Sequence, residues 1–447
     1  MKLHRGWAAF LATLALVQGS LVIAQQASPQ RLTLREAIEL ALKNNLSVRV
    51  AGTQVDELEG TRERREASLL PRVSGNLLAN RQNVNLGALG FSSIPNIPIP
   101  TVIPAFNHYD SRILASQPLI DREAYHNLKA SERQVQASKL SYQDTRDLVV
   151  RETAGLYLDS EVGFAEVAAA ESRVTTSQAL EKLAHDQHDE GLATAVDLVR
   201  AQVQLARDRQ TLLVARDAYQ TSLLVLARFL GLSPGTPLEL AGHMQFHSVP
   251  VPPIDAALRT ALEARSDYRS LFSQRESLVE QEKATRARYF PKLSVNGDYG
   301  ALGTAQTMAG IGEIQGTVSI TLFDWDRTGQ RKELASRVQR LNQQIDDLTR
   351  GIEQDLRKAL LDLDSAANQV SVTESALELA ERELTLAQDR FRNGVTDNIE
   401  VVTAQDTLAS AQDDRIMSLA RHADAGMALA RALGATEKIY QTYLGEP

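Results

Sequence analysis

Few residues in this chain have the type and spacing for chemistry. Asp324, Asp326, Thr328 and Gly329 match positions one, three, five and six of an EF-hand loop, but position twelve is Ala335 instead of a bidentate Glu. Without that ligand the motif reads better as a helix start, with Asp324 as the cap. His185 and His188 stand one helical turn apart and could share a metal, yet no third ligand accompanies them, and a solvated helix face explains them more simply. There is no G-x-S-x-G, no H-E-x-x-H and no G-x-x-x-x-G-K-[ST], so neither hydrolytic nor nucleotide chemistry has a foothold. No metal and no cofactor is expected. Trp325, just past a strand-like segment, fits an interfacial aromatic belt and ordinary turn packing equally well.

What remains is architecture. The 447 residues include no Cys, which excludes a disulfide scaffold, a Cys-ligated metal, a Cys nucleophile and lipoprotein acylation. A net charge of −8 argues against nucleic-acid binding, which needs a positive surface to displace counterions from phosphate. The start reads as an export signal, residues 1–24: Lys2 and Arg5, an apolar core from Trp7 to Val17, and small residues before a cut at Ala24/Gln25. The alternative is an uncleaved anchor, since Trp7 to Ala24 is marginally long enough to span. Removing Lys2 and Arg5 takes the charge from −8 to −10. No later segment approaches the ~20 apolar residues of a membrane helix. A membrane-spanning form of this chain must use strands.

The chain is duplicated. Leu34, Ala37, Ala41, Leu42, Leu58, Ala67, Pro71 and Asn76 recur 220 residues later as Ile254, Ala257, Ala261, Leu262, Leu278, Ala287, Pro291 and Asn296. Further on the offset is 203: Asp121 matches Asp324, Gly191 matches Gly394, Ala201-Gln202 matches Ala404-Gln405, and Gly231 matches Gly434. The first half carries its extra residues between Pro71 and Asp121. The divisions are a first repeat at 25–231, a linker at 232–253, a second repeat at 254–434 and a tail at 435–447. Each repeat is expected to hold a helix, a β-hairpin and a long helix pair. The linker, with Pro250, Pro252 and Pro253, reads as irregular and superficial.

No proline lies between Pro118 and Pro234, or between Pro291 and Pro447. Within these spans Asp121–Asp189 and Asp324–Asn393 read as helices that would each reach ~100 Å. Val370, Leu377, Ala380, Leu384, Ala387 and Phe391 form a heptad seam, as do Leu198, Ala201, Leu205, Leu212, Ala215 and Tyr219. Gly191 and Gly394 then mark tight turns between antiparallel helices. Strict alternation appears in Leu293–Ala301 and Ile314–Leu322, and more weakly in Val73–Leu86 and Tyr109–Leu119. The proline-rich stretch Gly87–Asn107 reads as a loop. Strands of about ten residues with one apolar face suit a transmembrane barrel; a soluble sheet packed on a core gives the same alternation.

These features together resemble the TolC family of outer-membrane efflux channels, over roughly residues 32–434. The resemblance rests on LTLREAIELALKNN, the helix-to-strand junctions SLLPRVSGN and RYFPKLSVNGDYG, the strand-to-helix turns QPLIDRE and ITLFDWDRTGQR, and the helix turns EGLATAVDLVRAQ and RNGVTDNIEVVTAQ. It implies a mainly α fold with a membrane β-barrel portion: a homotrimer sharing one 12-stranded barrel, continued by an α-helical tunnel through the periplasm. Elementary physics agrees, because four strands cannot close a membrane barrel and open edges are not tolerated in lipid. Cyclic association is the simplest remedy. By the same resemblance, Gly191, Leu192, Gly394 and Val395 lie at the tip that meets a periplasmic adaptor, and the adaptor joins an inner-membrane pump. Asp197, Asp397 and Glu400 stand where the family carries pore-entrance carboxylates. The plain alternatives are a solvated helix carboxylate and a glycine that serves only its turn. Thr403 follows where the family's second acid would stand, and Phe391 and Thr396 replace the polar latch residues of some relatives, which puts a hydrogen-bonded closed state in doubt. The expected function is the outer-membrane channel of a tripartite efflux or type I secretion system, a passive export duct across outer membrane and periplasm that contacts outer-membrane lipid. The alternative is a soluble periplasmic coiled-coil adaptor or scaffold.

Overall fold

The computed structural model describes residues 30–90, 100–191, 193–233, 235–242, 244–393, 395–396, 398–434 and 436–444. The proposed signal, Leu192, Gly394 and Asp397 therefore lie outside the described residues. The first half runs β1 (Gln30–Leu32), α1 (Leu34–Asn44), α2 (Leu46–Ala67), β2 (Arg72–Asn85), β3 (Val102–Ile120), α3 (Arg122–Asp189) and α4 (Ala195–Phe229). After β4 (Leu238–Leu240), the second half repeats the order as α5 (Ile254–Ala264), α6 (Ser266–Ala287), β5 (Lys292–Gly303), β6 (Ala309–Ser319), α7 (Asp326–Arg392) and α8 (Asn398–Leu433), and α9 (Thr436–Leu444) follows.

The duplication holds at single-residue precision. An offset of 220 carries both ends of α1 onto α5 and both ends of α2 onto α6. The offset of 203 carries the start of α4 onto that of α8 and the end of α3 onto that of α7. Where one helix was expected before each hairpin there are two, because Asn45 ends α1 in extended backbone and then caps α2 with its side chain. Thr33 and Glu36 form a capping box at α1, and Asp121 caps α3 by accepting from the Ala124 N–H at 2.9 Å. Gly231 and Gly434 close α4 and α8 at φ 71° and 83°. A side chain at either place would also strike a neighbour, the Asn44 Cβ or the Arg265 backbone N, each at 2.8 Å.

The helix α3, 68 residues long, spans ~100 Å and packs in turn against α2 and α6, then α1, then α4. Both heptad seams face partners: Ala380, Leu384, Ala387 and Phe391 of α7, like Ala201, Leu205 and Ala215 of α4, are buried. Three apolar cores result. One gathers Ile38, Val150, Leu226 and Tyr440; the second Ile352, Leu356, Leu429 and Tyr443; the third, near the helix turns, Leu180, Ala184, Phe391 and Val401. No described helix is long and apolar enough to cross a membrane.

Two stretches depart from expectation. The 232–253 segment is not wholly superficial, since Leu238 and Leu240 of β4 are buried where β4 pairs in parallel with β1. The 435–447 stretch is not merely a tail, because α9 inserts Tyr440 and Tyr443 into two cores. The reason is compositional: Ile439, Tyr440, Tyr443 and Leu444 give a short amphipathic helix that is stable only when docked.

The four long strands form one antiparallel sheet in the order β2-β3-β5-β6, which joins the halves between β3 and β5. Of the loop expected at Gly87–Asn107, residues 91–99 lie outside the described residues, and the part from Val102 onward is strand β3. Pro104 does not break that strand, because it lies where the register against β2 shifts between Gln82 and Val84 and its missing N–H costs no ladder bond. In contrast β6 stops at Ser319, although the alternation continues through Ile320 and Leu322. Ser319 faces Lys292, the first residue of β5, so residues beyond it have no partner strand among the described residues.

Candidate functional site

The register assigns each strand residue to a face. Directly opposed residues share a face, so Val73, Ala115, Gly297 and Ile314 line up, as do Gly75, Ile113, Tyr299 and Gly312. Leu77 and Val318 belong to the same side. This face is apolar and uncovered: Leu77 is 83% exposed, Tyr299 75% and Ile314 86%. A soluble sheet would pack such a face on a core. Here no described element covers it.

The opposite face is polar, with Ser74, Asn76, Ser116, Asn296, Asp298, Glu313, Gln315 and Thr317. At its centre the Arg112 guanidinium donates to both Asp110 oxygens and to Asp298 Oδ1, the last at 3.3 Å. The residue directly opposite Arg112 is Gly300, and a Cβ there would come within 2.6 Å of the Arg112 Cα. A glycine is required for Arg112 to lie across the strand and reach Asp298. Sequence reasoning missed this triad, because only the register brings Arg112 and Asp298 together.

All four junctions between sheet and helices lie at one end and expose large apolar groups, including Leu70, Tyr289, Phe290, Phe323 and Trp325. Trp325 stacks edge-on against Phe323 at 5.0 Å between ring centroids and is 79% exposed. Asp324 accepts from the Asp326 N–H at 3.1 Å at the start of α7, and among the described residues no cluster of three metal ligands forms.

The helix turns lie at the far end. Gly191 adopts φ 74°, and the chain closes through Gly191 N–H to His188 O and Ala193 N–H to Gln187 O, a Schellman-type stop. Thr194 then caps α4 in a box with Asp197, whose carboxylate accepts from the Thr194 N–H and hydroxyl at 3.1 and 2.6 Å. The other Asp197 oxygen accepts from Arg200 at 3.1 Å. Arg200 also donates to Asn398 Oδ1 at 2.7 Å, and the Asn398 amide donates to the Asp197 backbone carbonyl at 2.7 Å. Asn398 is completely buried. This three-residue tie joins the first turns of α4 and α8, and neither Arg200 nor Asn398 had been singled out.

Glu400 occupies the place in α8 that Asp197 holds in α4, but its surroundings differ. Its side chain is 40% exposed, with the Arg390 guanidinium 3.5 Å away. Val395 is exposed beside it, and Phe391 is packed in the third core. His188 Nδ1 lies 3.2 Å from Ala193 O and His185 pairs with Asp189, so both histidines serve the turn and the helix face.

Solved structures share this architecture. The outer membrane protein VceC of Vibrio cholerae superposes with a TM-score of 0.77 at 17% identity, covering 90% of this chain and 96% of that one. A membrane protein from Pseudomonas aeruginosa gives 0.78 at 18% identity, with 90% of each chain covered. Among curated relatives, the pyoverdine export outer membrane protein OpmQ of Pseudomonas aeruginosa is 23% identical over 411 residues, 90% of this chain and 85% of that protein. The toluene efflux pump outer membrane protein TtgC of Pseudomonas putida is 23% identical over 425 residues, 90% and 82% of the two chains. The outer membrane efflux protein family matches residues 37–232 and 257–435, one block in each half of the duplication, and the chain belongs to that family.

Proposed function

We propose that three copies of this outer-membrane efflux channel close one twelve-stranded barrel, with the uncovered apolar face toward lipid and the Arg112 face toward a water-filled lumen. The long helices continue the duct into the periplasm. The observation that carries this reading is the sheet itself: four strands, two open edges, and an apolar face that nothing among the described residues covers. Open edges in lipid leave backbone groups unsatisfied at several kcal/mol each, so the edges must find copies of themselves. The chain does no chemistry. It passes solutes delivered by an inner-membrane pump through a periplasmic adaptor, and Gly191, Leu192, Gly394 and Val395 form the tip that meets the adaptor. The names of the relatives, pyoverdine export and toluene efflux, suggest small-molecule cargo. The mass of the detergent-purified protein tests closure. A stable trimer with ion conductance in planar bilayers is expected, and a folded monomer would overturn the shared barrel.

At the tunnel mouth we assign the free negative charge to Glu400, with Asp397 beside it in sequence. Asp197 contributes by holding Arg200, its carboxylate being fully engaged. A ring of three Glu400 side chains attracts cations and repels anions. Glu400→Gln should weaken cation selectivity and block by multivalent cations added from the periplasmic side. Arg390→Gln should strengthen both, because it removes the cation that partly neutralises Glu400. Glu378, paired with Arg382 on an exposed face, is the control. Reversal potentials equally unmoved by all three changes would remove Glu400 from the pore.

A further inference from the structure

We infer that the duplication fixes the register between protomers: β6 of one copy pairs antiparallel with β2 of the next, with Ser319 opposite the partner's Asn76 and Val318 opposite the partner's Leu77. This deepens the trimer reading and rests on it. The argument uses only the chain's own seam between β3 and β5. If each copy repeats the contact made between its halves, every β3–β5 pair has an intersubunit counterpart, found by adding 203 to the β3 residue and subtracting 220 from the β5 residue.

The offsets hold inside the strands. Arg72 faces Ser116 in the first hairpin, and their counterparts Lys292 and Ser319 face each other in the second. Gln82 faces Phe106, and Leu302 likewise faces Ala309. Ser116 opposite Asn296 then becomes Ser319 opposite the partner's Asn76, and Ala115 opposite Gly297 becomes Val318 opposite the partner's Leu77. Gln117 opposite Val295 becomes Ile320 opposite the partner's Gly75, which supplies a partner for the stretch beyond Ser319.

Three independent features agree. A slip of one residue would set apolar against polar faces; the derived register instead keeps Val318 and Leu77 together on the apolar side, and Ser319 and Asn76 together on the polar side. The chemistry of the seam is reproduced. The Ser116 hydroxyl lies 2.8 Å from Asn296 Oδ1, and its counterpart is again a Ser facing an Asn. Lys292 pairs with Asp121 at 3.2 Å and Glu123 at 2.8 Å, and the counterparts are the partner's Arg72 with Asp324 and Asp326, every charge preserved. Arg72 makes no ion pair among the described residues, and the Asp326 side chain, though 3.6 Å from the Arg288 guanidinium, is 78% exposed and has room for a second cation. Finally, the α3–α6 contact of His126 with Glu280 maps onto Gly329 of α7 and the partner's Gly60 in α2. Both are helix glycines with nothing near a would-be Cβ, although each costs ~1 kcal/mol relative to Ala. Close approach of a second chain gives them a reason.

The absence of native cysteine makes the test direct. Val318→Cys with Leu77→Cys, and Ser319→Cys with Asn76→Cys, are oxidised in membranes and run without reductant. Neighbouring antiparallel pairs alternate in spacing, so one of the two is of the closer kind. Matched pairs have Cα atoms about 4.5–5.5 Å apart, within disulfide reach; partners displaced by two residues are about 7–8 Å away and beyond it. Covalent trimers are expected from a matched pair at least about fivefold more than from Val318→Cys with Gly75→Cys or Ala79→Cys. A displaced pair cross-linking best would overturn the register, as would a native-mass trimer that cross-links at no pair. A monomer in detergent would instead remove the trimer reading, and this register with it. Arg72→Glu should weaken the trimer to heat in SDS and Asp326→Lys should restore it; an unchanged trimer in Arg72→Glu would overturn the ionic contact.

Discussion

A variant ending at Gly434 is expected to lose on the order of 3–6 kcal/mol of stability and most of its yield of folded channel. Removing α9 uncovers the sites of Tyr440 and Tyr443, each worth ~2 kcal/mol of buried apolar surface. It also removes Glu437, which accepts hydrogen bonds from Arg146 and from Gln143. Behind them lies Asp147, entirely buried in α3, whose Oδ1 accepts from the Glu437 backbone N–H at 2.9 Å. Without α9 that carboxylate loses its donor. Point variants give a milder version: Tyr440→Ala and Tyr443→Ala should each cost ~3 kcal/mol. Chemical denaturation of the detergent-purified protein is the measurement, and an unaltered midpoint after truncation would show that α9 is not part of the folding unit.

Acid acts on this contact through two carboxylates of opposite sign. The hydrogen bond from Arg146 holds Glu437 below the usual Glu range, so its stabilising part is present above the unfolded pKa and is lost as pH falls through the lower folded value. Burial pushes Asp147 above the usual Asp range, so its ionised form opposes folding and protonation relieves that cost as pH falls. Asp147→Asn keeps an acceptor for the Glu437 N–H and removes the buried charge. It should equal or exceed the parent in stability at neutral pH, with the difference closing on acidification.

How much of this was legible in the sequence depends on the range of the signal. The long helices could be read because proline is absent over whole spans and the seams repeat every seven residues. The strands could be read because alternation is local. The end of β6 could not, since a strand's length depends on its partner and Ile320 and Leu322 have none among the described residues. Nor could α9, whose few apolar residues acquire meaning only against α3 and α8. At the tip, the duplication correctly equated Asp197 with Glu400 in position, but position did not determine surroundings. Asp197 is engaged by a box and an arginine because Thr194 precedes it and Arg200 follows one turn later. Glu400 is followed by Thr403, and its cation, Arg390, comes from another helix. Phe391 and Thr396 weakened the case for a polar latch at those positions; the tie found instead uses Arg200 of α4 and Asn398 of α8.

That tie leads to the second large effect. Asn398→Ala and Arg200→Ala are each expected to raise the conductance of the reconstituted channel several-fold. Arg200 bridges Asp197 of α4 and Asn398 of α8, and Asn398 donates back to the Asp197 carbonyl, so two hydrogen bonds cross between the helix starts, both made by a completely buried Asn398, while the Arg200–Asp197 bond orients the guanidinium within α4. Buried polar groups deprived of partners cost about 1–3 kcal/mol each, which penalises any closed arrangement that keeps them in place. Separation of α4 from α8 rehydrates them. If the tie favours the closed mouth by ~2 kcal/mol in each protomer, its loss shifts the closed-to-open ratio by about 30-fold per chain. Asp197→Asn should act more weakly, because an amide oxygen can still accept from Arg200 while the charge assistance is lost. Arg357→Ala, which breaks an exposed pair with Glu353 one turn away on α7, should leave conductance unchanged and serves as the control. In cells, the same order should appear in sensitivity to solutes that the outer membrane normally excludes. Trimers of Asn398→Ala and Arg200→Ala with native mass and parental conductance would show that the tie only shapes the turn, and closure would then have to be sought at Glu400 and Arg390.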